Sequence, residues 1–143
     1  ERGIGVEGTI ILGTDEQDED YVKRLVDFLL EIKLDLAEFT ILTPFPHTPI
    51  RETFQSEGRI LTNDWRHYTG GEVVFQPAKM TPTKLQDLYY YAWDRFYADS
   101  SQNLKMAKLF LKVIEKEKAD GTYRGGNLRR RKWQKEEIAG KVR

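Results

Sequence analysis

His47 stands among three prolines, Pro44, Pro46 and Pro49, in the stretch AEFTILTPFPHTPI, directly after a strand-like run, Phe39 to Thr43. An imidazole so placed can take up or release a proton near a ligand, although a lone loop histidine is more often simply exposed. Proline cannot donate to a sheet ladder and biases its predecessor toward extended backbone, which applies to Thr43, Phe45 and Thr48. The strand therefore ends in a stiff, extended loop. The second histidine, His67 in DWRHY, caps or stacks within an aromatic cluster equally well. The acidic run Asp15, Glu16, Asp18, Glu19 and Asp20 suits the positive start of a helix, and such a cluster is seldom catalytic without buried partners. No Ser-His-Asp order, glycine-rich phosphate loop with its lysine, or metal-ligand spacing occurs. With no cysteine in the sequence, disulfides, thiolate nucleophiles and a cysteine-ligated iron–sulfur cluster are excluded within these residues, and two separate histidines are poor material for zinc.

The elements that must hold these residues belong to one domain. The chain has 143 residues, 39% hydrophobic and 32% charged, with formal net charge zero, so no whole-molecule field draws in nucleic acid or an acidic substrate. No apolar run is long enough to cross a bilayer and no basic-then-apolar leader is present, which predicts a soluble cytoplasmic chain with no membrane partner.

Residues 4 to 13, IGVEGTIILG, read as a buried strand closed by Gly13. A helix follows, with Thr14 and Gln17 resembling a capping box and Val22, Leu25, Val26, Leu29 and Ile32 forming one apolar stripe. Residues 38 to 43 make the second strand. Strand, helix and strand in about forty residues is the βαβ signature of parallel strands, and ligands collect at the carboxyl ends of such strands. Both unusual loops, GTDEQ and TPFPHTP, fall there. Ile50 to Glu57 predicts a short helix ended by Gly58, and Glu72 to Gln76 a short strand. Thr81 as N-cap and Pro82 at the first helical position open a long helix. Its stripe, Leu85, Leu88, Tyr89, Ala92, Trp93, Phe96 and Tyr97, is the pattern of core packing. A further amphipathic helix ends at Gly121.

The final segment places Arg129, Arg130, Arg131 and Lys132 in a row beside Trp133. Its composition cannot build a core and predicts a disordered or loosely helical tail; a phosphate-contacting patch is the sharper reading.

The string ILTPFPHTPI, followed by GRILTNDWRHY, VVFQPAKMTPTKLQ and YYYAWDRFY, resembles the C-terminal half of radical S-adenosylmethionine enzymes of the cobalamin-binding type. The resemblance covers roughly residues 3 to 112 and rests on several separated motifs in the same order. It implies an α/β fold, a βαβ unit from a partial (β/α) barrel of the TIM-barrel kind with a mostly helical C-terminal extension. The expected division is residues 1–60 for the barrel strands and helices, 61–121 for the aromatic-rich extension and 122–143 for the basic tail.

The family's fifth strand carries Gly-x-Ile-x-Gly-x-x-x-Glu near the adenosyl part of its cofactor. Ile11 and Gly13 match it, Thr9 replaces the first glycine, Gln17 stands where Glu is common, and Asp15 resembles a Gly-x-Asp pattern of close relatives. Leu42, Thr43, Pro44 and Phe45 match the segment that holds adenine through backbone groups and apolar contact. A proline-stiffened loop loses little entropy when a flat base arrives. His47, Trp65, Tyr68, Trp93 and Tyr97 are implied on the substrate side.

Family chemistry starts from a [4Fe–4S] cluster on three cysteines, which cleaves S-adenosylmethionine to a 5′-deoxyadenosyl radical. This sequence lacks those cysteines and begins at what would be the fifth strand, so the resemblance implies a C-terminal fragment, inactive alone and with no cofactor bound by itself. S-adenosylmethionine, the cluster and cobalamin would belong to the parent protein, together with a small-molecule substrate and a methyl-transfer or ring-forming reaction. The remainder of the parent chain is one implied partner; a half barrel's unpaired strand edge implies self-association as well, or helices wrapped over the bare face. The alternative is a non-catalytic module whose basic tail binds nucleic acid or a partner protein.

Overall fold

The computed structural model describes residues 5–98 and 100–122. Two short strands, β1 (Glu7–Leu12) and β2 (Leu36–Ile41), are joined by helix α1 (Glu19–Glu31); α2 (Pro49–Ser56), a 3₁₀ turn (Trp65–His67), α3 (Pro82–Tyr97) and α4 (Ser100–Ala119) follow. The fold is mixed α/β, with a two-stranded parallel sheet and four α-helices among the described residues. The basic run Arg129 to Lys132, with Trp133, lies outside them.

The strands pair in register, Gly8 beside Ala37, Ile10 beside Phe39 and Leu12 beside Ile41. Those six residues face the helices, and Leu12, Ala37, Phe39 and Ile41 are buried with Val22, Val26, Leu29, Leu85, Leu88, Ala92 and Phe96 in one core. The opposite face carries Thr9, Ile11, Glu38 and Thr40, and Ile11 is 50% exposed. The expected buried strand over residues 4 to 13 is therefore corrected: β1 spans 7 to 12 and, among the described residues, is covered on one face only, because the described helices that pack on the sheet lie on the same side. The second strand likewise starts two residues earlier than residue 38 and leaves the sheet sooner.

Helices α1 and α3 run in the same direction. Lys84 meets Glu19 at 3.2 Å near their starts and Arg95 meets Asp27 at 3.2 Å further along. Asp18, not Thr14, caps α1, its carboxylate accepting the Tyr21 N–H at 2.7 Å. The expected capping box fails because Gln17 turns inward, while Thr14 only closes a backbone turn with it. Ile32, expected in the core stripe, sits at the C-cap and is 49% exposed. The caps of the other helices follow their sequence signals: Thr48 with Pro49 opens α2, Gly58 follows it at φ 69°, and Thr81 with Pro82 opens α3. Glu72 to Gln76 makes one antiparallel bridge, Ile60 with Phe75, rather than a strand, since Gly70, Gly71 and Pro77 bound it closely. No helix among the described residues is long and apolar enough to cross a membrane.

Candidate functional site at the carboxyl edge of the strands

The loops leaving β1 and β2 lie side by side, because the parallel ladder continues to the Leu42 N–H, which donates to the Leu12 carbonyl at 2.8 Å. Thr43 then returns its hydroxyl to the Ile41 carbonyl at 2.9 Å, and the Phe45 N–H closes a tight turn on the Thr43 carbonyl at 2.9 Å. Pro44 is fully buried beneath this turn, whereas Phe45 projects outward, 51% exposed. The result is a rigid apolar ledge beside the bare sheet face. His47 follows in left-handed backbone at φ 59°, exposed and without a hydrogen-bond or ionic partner among the described residues.

The β1 side is arranged differently from expectation. Gly13, at φ 97°, does permit a close approach, but core side chains fill that space: a Cβ there would meet Leu85 Cδ2 at 2.7 Å and Phe75 Cζ at 3.2 Å. Gln17 is buried, with Oε1 accepting the Gly13 N–H at 2.7 Å and Nε2 donating to the Ile11 carbonyl at 3.1 Å. Its amide thus occupies the strand edge as a neighbouring strand would. Asp15 pairs through both carboxylate oxygens with Arg59, at 2.5 and 2.9 Å. The Arg59 hydrogen bond, the largest influence, holds the Asp15 carboxyl below the usual carboxylate range. Arg59 also donates to the Gln76 carbonyl at 2.7 Å and lies 4.0 Å over the Phe54 ring. Lys79 grips the same loop, donating to the Glu16 carbonyl at 2.9 Å. Of the residues expected at the cofactor, Ile11 and Phe45 are exposed, Leu42 and Thr43 are half-buried, Pro44 is buried beneath the turn, and Gly13, Asp15 and Gln17 have their groups engaged within the protein.

Trp65 and Tyr68 form a cluster that hinges on a residue the sequence reading passed over. Arg51 is 8% exposed, donates through Nη1 to the Tyr68 hydroxyl and through Nη2 to Asn63 Oδ1 at 2.6 Å, and stacks 5.1 Å from the Trp65 ring. Tyr68 in turn donates to the Thr62 carbonyl at 2.6 Å. Gly70 joins this loop to the sheet by accepting the Ile41 N–H at 2.6 Å, so the cluster stands beside the end of β2. The only forewarning in the sequence was an arginine in the first turn of an otherwise ordinary amphipathic helix. His67 bonds Glu72 at 2.7 Å and faces solvent.

Trp93 and Tyr97 do not join the site. The Tyr97 hydroxyl accepts the Ala37 N–H at 3.1 Å and donates to the Ala37 carbonyl at 2.7 Å, at the amino end of β2. Ala37 and Ile41 are four strand steps apart, about 13 Å, so Tyr97 and the neighbouring Trp93 stand at the opposite end of β2 from Trp65 and Tyr68. They wall an open cleft with Asp94 and Ala98 at the other end of the sheet. Among the described residues no group of three His, Cys, Asp or Glu side chains could hold a metal ion.

A parallel α/β unit with a ledge at its carboxyl edge defines the class of structure. In sequence, the chain is 30% identical over 95 residues to an uncharacterised methyltransferase of Pyrococcus horikoshii, a match spanning 66% of this chain and 21% of that protein. It is 29% identical over 98 residues to the bacteriochlorophyllide d C-12(1)-methyltransferase of Chlorobaculum tepidum, spanning 68% of this chain and 21% of that protein. The matches thus cover about a fifth of the length of these curated relatives. No family model matches the chain.

Proposed function

We propose that the chain is the adenine-binding and substrate-facing part of an S-adenosylmethionine-dependent methyltransferase of the radical, cobalamin-binding type. The observation that carries this reading is the adjacent parallel pair β1 and β2, whose second strand runs into the Leu42–Phe45 ledge at the edge where ligands of parallel sheets bind. The similarity to two methyltransferases supports the reaction class. Leu42, Thr43, Pro44 and Phe45 would hold the adenine, with the exposed Phe45 ring offering a stacking surface and Ile11 flooring the site. The uncovered face of Thr9, Ile11, Glu38 and Thr40 would be the barrel lumen, covered on its far side by strands from elsewhere. The relatives' greater length leaves room for those strands.

The fit to the implied groups divides. The ledge is apolar, rigid and open, which suits a nucleoside. A [4Fe–4S] cluster does not fit these residues, since a sequence without cysteine supplies no thiolate. S-adenosylmethionine would supply the methyl group or radical precursor; these residues bind and orient it.

Titration calorimetry with adenosine and with S-adenosylmethionine tests this. Saturable binding of both by the full-length protein that contains this chain, weakened about fivefold or more by Phe45→Ala, is expected. Absence of binding by that wild-type protein at millimolar ligand, or identical affinity in the variant, overturns the ledge as the adenine site.

A further inference from the structure

Two arginines near the carboxyl edge are withdrawn from solvent, and only one of them is neutralised. Arg59 pairs with Asp15 and Glu57. Arg51, the more deeply buried, makes no ion pair with any described residue: its bonds go to the Tyr68 hydroxyl and the Asn63 side-chain oxygen, both neutral. Its guanidinium lies 5.1 and 5.4 Å from the Trp65 and Tyr68 ring centres. The acids of the same loop are committed elsewhere, Asp64 to Arg66 and Glu72 to His67. Glu52 follows Arg51 on α2, but successive helical residues do not face each other, and Glu52 is exposed.

A buried cation is costly to leave unpaired, and ring faces with neutral oxygens offset only part of that cost. Position 63 sharpens the point. Asn63 Oδ1 accepts from Arg51 Nη2 at 2.6 Å, so an aspartate of the same shape would neutralise the guanidinium from the same place. Asn63 is exposed, and burial therefore does not bar a carboxylate there. The chain holds a neutral acceptor instead and keeps the charge. A donor is also left over: Arg51 Nε has no hydrogen bond among the described residues, yet it is not among the enclosed atoms lacking one, so its N–H reaches the surface. A guanidinium offers Nε–H and a neighbouring Nη N–H side by side, in the geometry that a carboxylate accepts.

We propose that Arg51 is the recognition point for a carboxylate on the small-molecule substrate, with the half-exposed Trp65 ring packing against the apolar part beside that group. The Gly70 bond to Ile41 keeps this cluster beside the end of β2, where the Leu42–Phe45 ledge begins. Naming the substrate as the carrier rests on the function proposed above; the demand for an anion rests on the cluster alone.

The full-length protein that contains this chain, with isotope-labelled arginine, is titrated with benzoate, neutral benzamide, adenosine and S-adenosylmethionine, and followed by calorimetry and NMR. Benzoate binds saturably in the millimolar range and shifts one arginine Nε–H resonance, the one that Arg51→Lys removes; benzamide does neither. Asn63→Asp supplies the carboxylate from within, preserves the fold and weakens benzoate about tenfold or more, with adenosine unchanged. No benzoate binding, equal binding of benzamide, or benzoate affinity insensitive to Asn63→Asp overturns the proposal, and intact adenosine binding then leaves the ledge reading standing. Benzoate binding without adenosine binding removes the ledge reading and keeps the carboxylate site. Asn63→Asp that weakens S-adenosylmethionine but not adenosine gives the carboxylate to the cofactor and overturns the substrate assignment.

Discussion

The side-chain amide of Gln17 bridges the Gly13 N–H and the Ile11 carbonyl, 2.7 and 3.1 Å away, and so satisfies the carboxyl end of β1 on the edge that faces away from β2. A donor and an acceptor on one planar group are both required. Gln17→Glu keeps the acceptor and turns the other oxygen toward a carbonyl, costing about 1–3 kcal/mol at neutral pH. The loss is smaller in acid, because a protonated carboxyl restores the donor and the buried acid, held above its unfolded range, stabilises only while protonated. Urea denaturation at pH 7.5 and pH 4.5 reads the difference; equal losses at the two pH values refute the donor role.

Gly13 combines left-handed backbone with a side-chain path blocked by Leu85. Gly13→Ala therefore destabilises by about 2–4 kcal/mol, from backbone strain and overpacking together. Leu85→Ala in the same chain relieves the clash but not the strain, so a double-mutant cycle in denaturant gives a cost well below the sum of the single variants.

The Asp15–Arg59 pair ties the loop after β1 to the segment after α2. The Asp15 carboxyl is held down in the folded state by Arg59, so its contribution is complete above the ordinary carboxylate range and fades as pH falls through the lower, folded value. Asp15→Asn lowers stability at pH 7 and flattens the acid limb of the stability profile below about pH 4. With Asp15 nearly half exposed, the effect at pH 7 is small, about 0.5–1 kcal/mol.

Tyr97→Phe removes the hydroxyl that satisfies both backbone groups of Ala37. A loss of about 1–3 kcal/mol in thermal or denaturant unfolding is expected. Adenosine affinity at the Phe45 ledge stays unchanged in this variant, since the substitution acts at the far end of β2; a parallel loss of affinity contradicts the separation of the two ends.

Much of the scaffold was legible before any tertiary contact was known. The βαβ order, the parallel pairing and the helix starts at Thr48–Pro49 and Thr81–Pro82 depend on local patterns: β-branched runs, capping residues and proline's fixed φ. The buried-strand reading of β1 failed because hydrophobicity does not tell whether both faces of a strand are covered. Thr14 and Gln17 failed as a capping box because Gln17 found two backbone partners on β1, a choice that no spacing rule contains.

The amino-acid sequence by itself determined where the chain extends, coils and turns, and that a stiff ledge follows the second strand, since those properties reside in neighbouring residues. Tertiary structure alone decided which polar groups remained available at the edge. Asp15 meets Arg59 across 44 positions and Tyr97 meets Ala37 across 60. Partners so distant are brought together by burial of the shared core, which is non-directional and leaves no periodic trace in the sequence.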